Sequence, residues 1–141
     1  LAEIPWGLAH YEFKKLGFDK QTQTDALHIV RGQIIRLFKD TVGAWIIAKH
    51  DKEHNEYELL VAHQDKPATR IIDRIFEDQN KLWIIDFKTG KEDETTQEKH
   101  HFQLNEYGLH LSERTKLPIH CGIYYLASNH WVSWVYECVN S

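Results

Sequence analysis

The sequence predicts an α/β (α+β) domain, a central mixed β-sheet flanked by helices. Three observations carry this. The first third of the chain repeats apolar residues at three-to-four spacing, the helical period. From Gly43 onward that period gives way to short β-branched and aromatic runs separated by polar turns. One further helical segment then interrupts the strands before two more close the chain. The 141 residues suit one domain, since domains run to about 100–200 residues. We expect a helical lead-in over 1–42 and a sheet-bearing core over 43–141.

The elements follow in order. Ile4 to Leu16 is amphipathic, with Trp6, Leu8, Phe13 and Leu16 along one stripe and Gly17 as the stop. Thr24 or Asp25 can cap a second helix to about Asp40, with Leu27, Val30, Ile34, Leu37 and Phe38 on its apolar side. Arg31, Arg36 and Lys39 read as its solvated face, with a phosphate contact as the alternative. The runs Trp45–Ala48, Glu56–Ala62, Thr69–Glu77 and Leu82–Phe87 are expected as strands. A helix should follow from about Thr96 to Leu111, with Pro118 as punctuation. Ile119–Ala127 and Trp131–Cys138 complete the sheet around a Ser128-Asn129-His130 turn. The tryptophans at 45, 83, 131 and 134 are expected to pack in or beside the core.

Composition narrows the function classes. A 42% apolar, 27% charged chain is ordinary globular protein, not a disordered or collagenous one. No apolar run approaches a membrane span, and the N-terminus lacks the basic and apolar regions of a signal peptide. Cys121 and Cys138 are expected as buried thiols in a reducing, cytoplasmic compartment. The absence of methionine suggests a piece of a longer protein. Seventeen Lys and Arg against twenty-one Asp and Glu give a net charge of −4. That argues against a free-standing nucleic-acid binder, which carries a basic footprint. It does not exclude an enzyme that acts on nucleic acid, because metal-binding carboxylates also push composition acidic.

The informative segment is Thr69 to Gly90, TRIIDRIFEDQNKLWIIDFKTG. A hairpin turning on Asp78-Gln79-Asn80-Lys81 sets Asp73 directly across from Asp86. Opposed side chains share a face, and Lys88, two residues beyond Asp86, joins them. Ile71, Ile75, Leu82 and Ile84 surround them, while Ile72, Phe76, Trp83, Ile85 and Phe87 face the other way. Both faces are apolar, so the hairpin should be central in the sheet. Opposed carboxylates in such surroundings repel, and burial raises the cost. A shared proton or Lys88 answers in part. A divalent cation answers better, since Mg²⁺ takes oxygen ligands and often only one or two carboxylates. Two aspartates and a lysine so clustered outline a phosphodiester-hydrolysis site.

Asp73 followed by Asp86-Phe87-Lys88 resembles the PD-(D/E)XK nuclease signature, with Asp86-Phe87-Lys88 as the D-x-K element. Gln103-Leu104-Asn105-Glu106-Tyr107 resembles the Q-x-x-x-Y element of the RecB/AddA-type branch. IDRIF, LWIIDFKTG and QLNEY together look like the C-terminal nuclease domain of exonuclease V-type, UvrD-like helicase-nucleases. Upstream, GAWIIAKHDKEHNEYEL is similar to the segment that carries an acidic residue, here Glu56 in preference to Glu58. Some relatives have a histidine four residues after a glycine on the preceding helix; after Gly32 that position is Arg36.

The resemblance implies a restriction-endonuclease-like core and metal-dependent hydrolysis of DNA. By it, Asp73 and Asp86 bind Mg²⁺, with Mn²⁺ as a substitute, helped by the main-chain carbonyl of Phe87. Lys88 positions or activates water, and Glu56 supports the metal or the lysine. Gln103 and Tyr107, one helical turn apart, brace the site or touch the strand. The partners implied are single-stranded DNA or duplex ends, and a helicase domain or subunit. The alternative is a catalytically idle module of the same fold that binds DNA or docks on the helicase.

One rival motif remains. His50-Asp51-Lys52-Glu53-His54 spells the inverted zincin signature, which needs both histidines on one helical face. These residues lie between strand-like runs and are expected as a connecting turn. His100-His101 reads as a solvated helix entry.

Overall fold

The computed structural model describes residues 20–63, 65–90 and 93–137. The expected first helix, Ile4 to Leu16, and Cys138 lie outside them. Helix α1 (Lys20–Lys39) leads into a short α2 (Thr41–Ile47). Strands β1 (Asp51–His63), β2 (Lys66–Asp78) and β3 (Lys81–Lys88) form a meander. Helix α3 (Glu94–Ser112) crosses to β4 (Ile119–Tyr125), and β5 (His130–Val135) ends the sheet. The five strands stand in chain order, with β3 and β4 parallel and every other pair antiparallel. A parallel step needs a crossover, and α3 supplies it.

Two cores explain why the central strands are apolar on both faces. Beneath α3, Leu104, Tyr107 and Leu111 pack on Ile75, Ile84, Cys121, Ile123 and Tyr125. On the opposite face, Leu37 of α1 and Ile46 of α2 pack on Phe76, Ile85, Phe87 and Tyr124. Trp45, Trp83 and Trp131 border this second core, and Trp134 borders the first. Cys121 is fully buried, and desolvation pushes its thiol up to about 12, so it is inert packing.

The β2–β3 hairpin has the expected register. Asp78 pairs with Lys81 and Arg74 with Ile85. Gln79 and Asn80 both have positive φ, at 51° and 61°, the two-residue turn whose twist suits a hairpin.

Three expectations about the elements need correction. Helix α1 already runs from Lys20, so Thr24 and Asp25 lie within it and do not cap it. Trp45–Ala48 is not a strand; Thr41–Ile47 is helical. Asp40 caps the helix by accepting from the Gly43 N–H at 3.0 Å, and the Tyr124 hydroxyl donates to the same carboxylate oxygen at 2.9 Å. A side chain on Gly43 would overlap the Leu37 carbonyl, so glycine allows α1 and α2 to turn this tightly. At the other end, the Arg74 guanidinium donates to the carbonyls of Ile46 and Ala48. These tertiary bonds override the β-propensity of Trp45-Ile46-Ile47.

The stretch after His50 is likewise not a turn, because β1 begins at Asp51. Its start is irregular, with Lys52 at φ 50° and a register shift between Asp51 and His54.

Candidate active site

Asp73, Asp86 and Lys88 meet where β2 leaves β3. The ladder between these strands ends at Arg74 and Ile85, one step short of the expected Asp73–Asp86 pair. There Asp73 turns its carboxylate to the neighbouring strand, and its Oδ2 accepts the Phe87 N–H at 2.8 Å. The side chain stands in for a ladder acceptor. On the far side, β3 stays paired, with Asp86 beside Ile123 and Lys88 beside Tyr125.

The break lies beside a local irregularity. Glu56 lies across from Asp73, between the Asn55–Arg74 and Tyr57–Ile72 pairs, and has φ 52°. Ile72 and Ile75 pack in the same core although three residues apart. Strict alternation would send them to opposite faces, so β2 changes phase at Asp73. The assignment of Ile72 to the face away from the aspartates is corrected accordingly. Such irregularities re-aim a side chain and end pairing.

Both carboxylates are deeply buried, Asp73 at 1% and Asp86 at 4% exposure. Lys88 Nζ reaches Asp86 Oδ2 at 2.7 Å, and meets Gln103 Oε1 at 3.5 Å, the long limit of a hydrogen bond. Two carboxylates and one ammonium leave a local charge of −1. Hard oxygen donors of net negative charge suit a divalent cation that keeps part of its water shell. Among the described residues no three His, Cys, Asp or Glu side chains cluster, so Glu56 does not complete a carboxylate trio. Its side chain is exposed, as is that of Glu58. Tyr107, one turn beyond Gln103, is core rather than surface, at 3% exposure. Arg36 and Lys39 stand exposed on α1.

The zincin-like motif dissolves into structure. Glu53 Oε2 accepts from the His50 N–H and from Arg74, each at 3.0 Å. Those bonds, the His50 one foremost and Arg74 after it, hold the Glu53 carboxyl below its ordinary value. The His50 ring stacks on Phe76 at 4.0 Å and bonds the Trp45 carbonyl, while His54 leans on Tyr57.

Sequence reasoning missed Arg74 and His100. Arg74 is 6% exposed and clamps α2 to the sheet through Ile46, Ala48, Asn55 and Glu53. Its signal was available: a lone cation in an apolar run must find partners. His100 is half-buried, not solvated, and its Nδ1 lies 3.0 Å from the Tyr125 hydroxyl.

The model of the PD-(D/E)XK nuclease superfamily matches residues 13–130, a span that takes in every site residue above. The chain belongs to that superfamily. The five-stranded mixed sheet with helices on both faces agrees with its restriction-endonuclease-like fold. Membership points to nuclease activity and contact with DNA, and the superfamily generally uses divalent metals. A search of curated proteins finds no match. No helix among the described residues is long and apolar enough to cross a membrane.

Proposed function

We propose that this domain is a Mg²⁺-dependent deoxyribonuclease, with Mn²⁺ as a substitute, of the RecB/AddA type. The observation that carries the reading is the convergence of Asp73, Asp86 and Lys88 at the end of the β2–β3 ladder. Asp73 and Asp86 would hold the cation, with the Phe87 carbonyl beside them. Bound there, the cation would polarise the scissile phosphoryl oxygen and screen its charge. The Phe87 N–H fixes the orientation of Asp73. Asp86 and the side-chain amide oxygen of Gln103 hold the Lys88 ammonium, from which it can orient the attacking water and meet charge developing on phosphate. Gln103 is thus a positioning residue, and Tyr107 supports its helix from the core. Glu56 keeps only an outer role, on the strand position across from Asp73.

The substrate is a DNA strand or duplex end, and a helicase domain or subunit supplies most of the grip. The net charge of −4 supports this division, because non-specific affinity rests on neutralising phosphates with Lys and Arg. The setting proposed is a cytoplasmic repair or recombination enzyme of exonuclease V type.

Digestion of end-labelled single- and double-stranded DNA in millimolar Mg²⁺ tests the reading. Asp86→Ala should lose metal binding and cleavage together. Lys88→Ala should retain metal binding and lose cleavage by about a hundredfold or more. If the parent cleaves and Lys88→Ala cleaves equally well, the assigned roles are wrong. A parent that binds DNA and metal without cleaving would favour the idle module.

A further inference from the structure

One group at this site has no part in the chemistry above. Tyr125 is 1% exposed and sits directly beside Lys88 in the parallel β3–β4 pair, where neighbouring strands run about 4.8 Å apart. Its hydroxyl lies 3.0 Å from Nδ1 of His100. His100 is on α3, one turn before Gln103, so the two side chains share a helix face. Gln103 in turn meets the Lys88 ammonium. Three elements therefore bring His100 to the rim of the Asp86–Lys88 pair. The neighbouring His101 is built differently, stacked on Trp134 at 3.5 Å.

We propose that His100, held by the Tyr125 hydroxyl, is a substrate-binding residue of this site that donates a hydrogen bond to a phosphate oxygen of the nucleic-acid strand. This rests on the nuclease reading. The chemistry follows from the ring. A neutral imidazole carries one proton, and which nitrogen has it is set by the bond the other makes. In the proposed arrangement the tyrosine hydroxyl donates to Nδ1, 3.0 Å away, which leaves the ring proton on Nε2, the nitrogen that donates to phosphate. A buried hydroxyl also fixes the ring plane, so the donor is aimed before substrate arrives. In a domain of net negative charge, an oriented imidazole donor adds a grip on phosphate beside Lys88. Tyr125 is then a positioning residue, acting through His100.

The test compares the parent with His100→Ala, His100→Gln and Tyr125→Phe. Two quantities are read: anisotropy of a labelled single-stranded oligonucleotide in metal-free buffer, and KM and kcat for Mg²⁺-dependent cleavage. His100→Ala should raise Kd and KM about tenfold, the worth of one hydrogen bond to a charged group, with kcat little changed. Tyr125→Phe should move both the same way by a smaller factor. His100→Gln should recover most of the loss, since its amide can accept from Tyr125 and still donate. Parent-like Kd and KM in His100→Ala overturn the proposal. So does a loss confined to kcat, or equal loss in all three variants with lowered melting temperature, which marks a structural role. If the parent binds but does not cleave, the nuclease reading fails while anisotropy still decides the His100 contact. A parent that neither binds nor cleaves overturns both.

Discussion

Lys88→Ala should unfold more easily than the parent without metal, and Mg²⁺ should reverse much of that loss. The Lys88 and Asp86 side chains are 14% and 6% exposed and 2.7 Å apart, so they form a buried ion pair. Removing one partner of such a pair costs about 3–5 kcal/mol, because the remaining charge stays desolvated. The partly open lysine sets the lower end, about 3 kcal/mol. Asp73 adds to the loss, since a second carboxylate is anchored to the next residue of the same strand. For a domain of this size about 3 kcal/mol corresponds to a drop in Tm of about 10 °C.

The double variant Lys88→Ala/Asp86→Asn should regain a large part, because the stranded charge is gone. A cation at about a hundred times its Kd contributes about 2.7 kcal/mol, so Mg²⁺ should raise the single variant close to the metal-free parent and leave the double variant unmoved. Thermal melts at neutral pH, with EDTA and with millimolar Mg²⁺, read all four cases. A metal-free Lys88→Ala that melts with the parent would refute the pairing. A double variant no more stable than the single one would refute the stranded-charge explanation.

Two further outcomes are expected. A side chain on Gly122 would overlap the Trp131 indole, so Gly122→Ala should destabilise by about 1–3 kcal/mol through overpacking; Gly122→Ala/Trp131→Leu should recover stability in thermal melts, and a parent-like Gly122→Ala would contradict the close approach. Glu53 has its folded-state carboxyl held below the ordinary 4.5, so its contribution is fully present above that value and is lost as pH falls through the folded one. Glu53→Gln should therefore melt below the parent at neutral pH, with the gap closing on acidification below 4.5; a gap that stays constant with pH would exclude the Glu53 charge as its source.

The hairpin was legible because two independent signals agree there. Alternation in both strands demands one register, and Asn80 suits a left-handed turn position, so the pairing of Arg74 with Ile85 follows from local chemistry. The grouping of Asp73 with Asp86 and Lys88 was legible only in part: register carries them to the same end of the hairpin, but the ladder stops one step short and Asp73 reaches β3 through the Phe87 N–H. What the sequence hides is long-range. Trp45-Ile46-Ile47 has the composition of a strand, and its helix depends on Asp40, Tyr124 and Arg74, the latter two distant in sequence. The phase change at Asp73 lies across from positive φ at Glu56, a conformation uncommon outside glycine and unmarked by residue type. His100 escaped because its partner, Tyr125, is reached only when the parallel strand is in place.

The break in the β2–β3 ladder is also what makes two buried aspartates tolerable before any cation binds. In an uninterrupted hairpin, Asp73 and Asp86 would face each other as a like-charged pair, which destabilises a sheet. Here each carboxylate has its own compensation. Asp73 is turned into the gap, where its carboxylate accepts a main-chain N–H. Asp86 takes an ammonium from its own strand. Neither arrangement needs the other, so the site can stand preformed. Rigidity comes from elsewhere in the sheet: Trp45 lies edge-on to both Phe76 and Trp83, with ring centres 5.4 and 4.9 Å away, near the turn that closes the hairpin. The hairpin is thus pinned by aromatic packing toward its turn and released at the end where Asp73 departs. On the proposed reading, side chains held in place before a cation binds would receive it without reorganising the core, and preorganisation of this kind is where electrostatic catalysis gains most.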